Sequence, residues 1–308
     1  MPINSCLTKD EIMHYVVAIP LDKKLAEFIG KGGAEGSINF YNRKMGEDII
    51  VGLAPSSIDD KFYAVAETFL ISQQILLSTA NIDKIFGELL VACSLIEKHV
   101  IFTDENSIEN LLAGIKVKEY EISPREELVN KILAIKPQES SGPVRVDIDH
   151  AFPVKGIGCV ALGIVTSGTL KVHDELHHSS GKVVSVKSIQ SQDIDVQTAG
   201  PGTRVGLALK GIEHEDLSKG DLLSKEKIPR LGQIKAKITI SPISKEEVKA
   251  QSRYSLVSNF SFSNLLVEEA AGDTITIKFE KQIPIAKGDK FLLLREKAPR
   301  IFAHGEVL

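Results

Sequence analysis

The run Pro143-Val-Arg-Val-Asp-Ile-Asp-His-Ala-Phe152, continued by Pro153-Val-Lys-Gly-Ile-Gly158 and Cys159-Val-Ala-Leu-Gly163, changes the character of the chain. Upstream of it, apolar residues recur at helical spacing between short apolar runs. Within it, Val144, Val146 and Ile148 recur at every second position. Period two is the signature of a strand whose two faces meet different surroundings. Gly156 and Gly158, set beside such strands, supply tight turns, bulges or a close backbone approach. Gly168, Gly181, Gly202, Gly211 and Gly220 fall at later strand ends, as turn residues do.

Working downstream, strands are predicted over 144–148, 158–165, 182–189, 204–209, 233–240, 273–279, 291–295 and 301–307. No long helix is needed in this half. Many short strands with glycine-rich turns point to β-barrels or sandwiches, and Ile228-Pro-Arg-Leu-Gly232 separates two of them. Working upstream, Lys136-Pro-Gln-Glu-Ser-Ser-Gly-Pro143 reads as a linker. Before it, Ser123-Pro-Arg-Glu126 reads as a capping box opening a helix that runs to about residue 135. Residues 1–122 alternate strands (14–19, 48–53, 75–78, 100–103) with helices (23–29, 82–97, 108–113), which predicts an α/β domain on a mostly parallel sheet. The expected organisation is therefore an α/β domain over 1–122, a helix and linker over 123–142, and β-barrels over 143–228 and 229–308.

Charge is unevenly spread. Residues 1–140 carry 14 Lys and Arg against 21 Asp and Glu; residues 230–308 carry 13 against 9. An acidic first domain attracts phosphates poorly, whereas a basic C-terminal one would draw a nucleic-acid backbone. Cys6, Cys93 and Cys159 stand far apart, without zinc or disulfide spacing, as suits a reducing cytoplasm. No apolar stretch has the length of a signal peptide or membrane span, so a cytoplasmic protein with no membrane partner is expected.

The blocks that follow the opening run are Ser167-Gly168, Val172-His-Asp-Glu-Leu176, Val186-Lys-Ser-Ile-Gln190, Ala199-Gly-Pro-Gly-Thr-Arg-Val-Gly206, Leu207-Ala-Leu-Lys-Gly-Ile212 and Asp216-Leu-Ser-Lys-Gly-Asp-Leu-Leu223. Together with residues 143–163 they resemble, in order and with few gaps, the second domain of the SelB/EF-Tu translation elongation factor family. Gly288-Asp-Lys-Phe291 and Arg300-Ile-Phe-Ala-His-Gly-Glu-Val307 resemble the end of its third domain. The chain also resembles archaeal SelB-like paralogues of the EF-Pyl or EF-Tu domain 2 kind. The resemblance implies a degenerate P-loop GTPase-like α/β domain followed by domain 2-like and domain 3-like barrels. It also implies that a shallow pocket on the second barrel receives the 3′ end of an aminoacylated tRNA.

A translational GTPase opens with G-x-x-x-x-G-K-[ST], whose amides wrap phosphates while Lys neutralises charge and Ser/Thr binds Mg²⁺. The equivalent segment here is Ala18-Ile-Pro-Leu-Asp-Lys-Lys-Leu25, which lacks both glycines and keeps Lys24 alone at the lysine position, as a vestigial cofactor contact. Leu25 stands at the magnesium hydroxyl, and Pro20 removes an amide donor. Gly30-Lys-Gly-Gly-Ala-Glu-Gly-Ser-Ile-Asn39 occupies the first switch and reads as a flexible loop, with Asn39 where the family has Thr. Gly52-Leu-Ala-Pro55 stands for D-x-P-G-H and Thr103-Asp-Glu-Asn106 for N-K-x-D. With four motifs degraded, no GTP hydrolysis, no catalytic residue and no cofactor are expected. GTP and Mg²⁺ would enter only if the chain were a divergent GTPase.

The tRNA contacts expected are Lys155, Gly156, Gly158, Lys187 and Arg204 on the second barrel, and Lys235 and Lys237, which share one strand face, on the third. Lys210, Lys278, Lys281, Arg295 and Arg300 are further basic candidates. His173, His177 and His178 are read as a strand end rather than a metal site, because alternation sends His177 and His178 to opposite faces. The leading reading is a tRNA or aminoacyl-tRNA binder, with the ribosome as a further partner and no DNA. A protein-interaction module of the translation machinery is the second.

Overall fold

A computed structural model describes residues 12–20, 22–33, 35–57, 62–137 and 142–308. Cys6, Leu21 of the P-loop-equivalent segment, Ala34 of the first-switch stretch and residues 138–141 of the linker lie outside the described residues.

The N-terminal body runs β1 (His14–Ala18), α1 (Lys23–Ile29), β2 (Lys31–Gly32), β3 (Ile38–Met45), β4 (Asp48–Pro55), α2 (Tyr63–Ile71), β5 (Gln74–Leu77), α3 (Lys84–Leu95), β6 (His99–Thr103), α4 (Glu109–Gly114), β7 (Tyr120–Ser123) and α5 (Leu128–Ala134). Its sheet has the order β2-β3-β4-β1-β5-β6-β7. Strands β4, β1, β5, β6 and β7 are parallel, and β2 and β3 add an antiparallel edge. Central strands covered on both faces need apolar residues at every position rather than every second one. The all-buried His-Tyr-Val-Val-Ala of β1 and Gln-Ile-Leu-Leu of β5 follow that rule. One face is filled by α2 and α3 through Phe69, Leu90 and Cys93 against Ile75 and Phe102. The other is filled by α1 and α5 through Leu25, Ile29, Leu128 and Ile132 against Val17 and Leu76.

The second body comprises β8 (Arg145–Val154), β9 (Gly158–Ser167), β10 (Leu170–Lys171), β11 (Glu175–His178), β12 (Val183–Ser191), β13 (Ile194–Val196), β14 (Thr198–Ala199), β15 (Arg204–Lys210) and β16 (Leu222–Ser224). Strands β11-β16-β8-β9-β15-β12 close on themselves, because β12 pairs back to β11. The third body, β17 (Arg230–Ile240), β18 (Arg253–Ser258), β19 (Ser261–Ala271), β20 (Thr274–Pro284), β21 (Lys290–Leu294) and β22 (Ile301–Val307), closes as β17-β20-β19-β18-β21-β22. The α/β domain and the two six-stranded barrels agree with the fold expected from sequence. Among the described residues no helix is long and apolar enough to cross a membrane.

Two local expectations are corrected. Ser123 does not cap a helix: it is the last residue of β7, paired with Thr103, and the chain enters α5 through a 3-10 turn over Arg125–Glu127. The first-switch stretch is not all loop, since β2 lies within it and Asn39 sits in β3, paired with Ala54. Gly52-Leu-Ala-Pro55 lies in β4, which extends to Pro55 against β3.

The three bodies share apolar contacts. Val16, Phe40, Leu53 and Ile71 of the first, Ile164 of the second and Phe260 of the third form one cluster. Val257, Leu292, Leu294 and Ile301 of the third body join the α2–α3 core of the first. Gly202 sits at a seam with φ 84°, where a Cβ would come within 2.7 Å of the His14 carbonyl oxygen, so no other residue fits there without moving the first body.

Candidate nucleic-acid interface

The β8–β9 hairpin ends in a tight turn in which Val154 pairs with Gly158 and the Ile157 N–H donates to the Val154 carbonyl at 3.0 Å. Gly156 (φ 83°) and Gly158 (φ 99°) both take the left-handed conformation that this turn requires. The turn projects Lys155 and Ile157 into solvent. On β12 the register against β15 shifts between Val186 and Ser188, leaving Lys187 as the extra residue of a bulge. A bulge re-aims a side chain: the Lys187 Nζ donates to the Ile157 carbonyl at 3.1 Å. Lys155, Gly156 and Gly158 in one stretch of sequence and Lys187 in another are thereby brought to one tip. Cys159, at its base, is a buried thiol that burial, with Glu213, Glu215 and Asp216 nearby, pushes above its ordinary pKa.

Beside the tip lies a feature that the sequence reading missed. Cys159, Ala161, Leu207 and Leu209 face the barrel core, so alternation turns Val160, Leu162, Gly206 and Ala208 outward. His150 and Phe152 of β8, whose rings lie 5.7 Å apart, border the same face. At Gly206 the nearest atoms to an added Cβ would be Leu162 Cδ2 at 3.5 Å and Gln190 Cβ at 3.9 Å. The result is a shallow apolar pad, floored by small residues and rimmed by an aromatic, an imidazole and an amide. The run of outward apolar residues on one sheet face was its only sequence signal. Toward the N-terminal body the same outward row of β9 continues into buried Ile164.

Arg204 lies at that seam. Its guanidinium is bound by the Asp149 carboxylate, with one contact of 2.9 Å, and lies 3.9 Å from the centre of the Phe40 ring. Lys235 and Lys237 share an exposed face of β17, as expected, but they belong to the third body, and Lys237 is 3.2 Å from Asp273. Lys210 and Lys281 are exposed, and Lys278 is 3.9 Å from Glu268. Arg295 and Arg300 serve packing: Arg295 pairs with Glu246, and Arg300 binds Glu88 at 2.9 and 3.0 Å.

At the carboxyl edge of the N-terminal sheet, β1 and α1 are joined by residues 19–22 alone. The Asp22 carboxylate accepts the Leu25 N–H at 2.8 Å, so an anion already occupies the start of α1. Lys24 is exposed on α1, and its carbonyl accepts from Arg125 at 3.1 Å. The guanine-motif segment is used internally. Asn106 donates from its backbone to Thr79 Oγ1 at 3.1 Å and from Nδ2 to the Thr79 carbonyl at 2.9 Å. The Thr79 N–H in turn donates to Thr103 Oγ1 at 2.7 Å, which ties the loops after β5 and β6 together. His178 is buried 3.2 Å from Asp221, while His177 is half-buried on the opposite strand face. Among the described residues no group of three or more His, Cys, Asp or Glu is placed to hold a metal ion.

The family model for elongation factor Tu domain 2 matches residues 158–224. An uncharacterized protein of Methanocaldococcus jannaschii is 30% identical over 293 residues, spanning 91% of this chain and 94% of that protein. The selenocysteine-specific elongation factor of the same organism is 31% identical over 192 residues, 54% of this chain but only 41% of that protein. Among solved structures, the apo form of translation elongation factor SelB from Methanococcus maripaludis superposes with a TM-score of 0.81 at 20% identity, covering 96% of this chain and 79% of that one.

Proposed function

The chain belongs to the SelB/EF-Tu-like family of translation elongation factors, and we propose that within it the protein binds tRNA or aminoacyl-tRNA on its second body without binding or hydrolysing GTP. The observation that carries this reading is Asp22. A P-loop offers bare amides to phosphate, whereas here a carboxylate takes the Leu25 amide in the first turn of α1 and would repel a phosphate placed there. With no γ-phosphate to hold switch segments, binding and release are not timed by hydrolysis.

The second body keeps what an RNA end requires. The apolar pad offers a surface for a base or an aminoacyl side chain, and Lys155 and Lys187 stand beside it for phosphates. Lys235 and Lys237 extend the basic surface on the third body and would contact the RNA further from its end, with the ribosome as a further partner.

A second reading, a protein-interaction module, is favoured by the edge strand β7, where Tyr120 and Ile122 are 44% and 39% exposed. Binding of charged and deacylated tRNA, measured across a salt series with and without GTP and Mg²⁺, separates the readings. Saturable, salt-sensitive binding that ignores GTP is the expected result. GTP-dependent binding would return the chain to the nucleotide-driven factors, and no RNA binding at any salt would leave the interaction module.

A further inference from the structure

We infer that α2 is a fixed brace that fastens both barrels to the N-terminal sheet, so that the three bodies keep one arrangement set by side chains and not by a nucleotide. This inference stands whether or not RNA is the ligand. Helix α2 follows β4, the position after which a translational GTPase places its second switch, a segment ordered by the γ-phosphate. Here each part of it is held otherwise. At its start Phe62, buried with φ 61°, lies under the Arg300 guanidinium, 3.7 Å from ring centre to Cζ. Arg300 comes from the third body and is anchored on Glu88 of α3 by its backbone N–H at 2.8 Å as well as by its side chain. The next residue, Tyr63, stacks on Phe262 of the third body at 4.5 Å and shares a hydrogen bond with Ser255 at 2.8 Å.

One turn on, the chain turns to the second body. Glu67, 2% exposed, meets the Lys219 ammonium at 2.6 Å, and the same ammonium donates to Ser37 at 3.0 Å. Ala64 and Ile71 pack in the cluster that holds Ile164 of the second body and Phe260 of the third. At the far end Lys98 donates to the carbonyls of Phe69 and Leu70 at 2.6 and 2.7 Å and to that of Ser72, closing the helix C-terminus. The anchors on the barrels are cationic and those on the N-terminal body anionic. Glu67 and Glu88 are both more than nine-tenths buried, so removal of either cation strands a buried charge.

Small-angle scattering and limited proteolysis of the full chain test the brace. The unmodified protein is expected to give one radius of gyration and one cleavage pattern with and without GTP and Mg²⁺. Lys219→Ala combined with Arg300→Ala is expected to enlarge the radius and raise cleavage between bodies on the order of a hundredfold. The charge exchange Glu67→Lys with Lys219→Glu is expected to be more compact than Lys219→Ala alone. If the double variant loses its circular-dichroism signal, Lys219→Met alone is read by the same criteria. A radius that shifts on adding GTP to the unmodified protein, or variants that stay as compact and as protease-resistant as it is, would overturn the inference.

Discussion

At the carboxyl edge of the N-terminal sheet, Asp22, Asn106 and Thr79 bind the polar groups of the chain itself. On the outer face of the second body, Gly206 and Ala208 leave the surface bare between Leu162, Phe152 and Gln190. The two regions differ in what they do with their loops and turns, not in how well they are folded. A parallel sheet is held by its buried strands and covering helices, so its architecture does not depend on what its loops bind. The comparison separates scaffold from site: at the edge of the first body the loops satisfy one another's polar groups, and the second body keeps a surface open.

The sharpest way to break that comparison is to fill the open surface. Gly206→Trp places a large side chain on the pad, where a Cβ meets nothing closer than 3.5 Å. Affinity for tRNA is expected to fall about tenfold or more while thermal stability holds; unchanged affinity would move the site elsewhere. Next in size is the tip. Lys155→Ala with Lys187→Ala should lower the slope of log affinity against log salt by roughly 2, about one for each phosphate left without its lysine. A slope that does not change would leave these lysines as solubilising charges.

On the closed side, Asp22→Ala removes a helix cap and should cost about 1 kcal/mol in urea unfolding. It should leave tRNA binding as it was and confer no GTP binding, and acquired GTP binding would show that the edge is only masked. The smallest effect is expected at the seam. Burial holds the His14 imidazole below its ordinary pKa, against the opposing pull of the Ile12 backbone and Asp48. As pH falls below about 6.5 the unfolded chain takes up a proton that the folded one resists, so stability declines on the acid side and is intact above it. In His14→Gln this decline should flatten below about pH 6.5, with Thr203, 3.3 Å from the native Nδ1, as partner to the amide. An unaltered pH profile would exonerate His14.

The strands of the barrels were legible where glycine turns punctuate alternation, as from residue 143 onward. Helix α2 was not, because Tyr63-Ala-Val-Ala-Glu-Thr-Phe-Leu-Ile71 is buried on almost every side and shows no polar face. The β18–β19 hairpin was hidden by its serines: Ser258, Ser261 and Ser263 are all buried at a barrel end that packs on other bodies. At the tip, the glycines marked the turn, and Lys155 and Lys187 were read only as basic residues of one barrel, because the bulge that joins them is set by strand register. The role of Arg204 could not be read at all, because its partners are Asp149 and, in another body, Phe40. Ser123 carried a sound capping signature that pairing with β6 overrode.

The core shared between α2, α3 and the third body has a consequence for synthesis. Glu88 leaves the ribosome 212 residues before Arg300, a gap of about 10–40 s at ordinary elongation rates. Until then the faces of Phe62, Phe69 and Leu95 that later meet Val257, Leu292 and Ile301 have only water against them. The nascent N-terminal half thus passes through an interval of exposed apolar surface, and its last turns of packing are completed by the end of the chain.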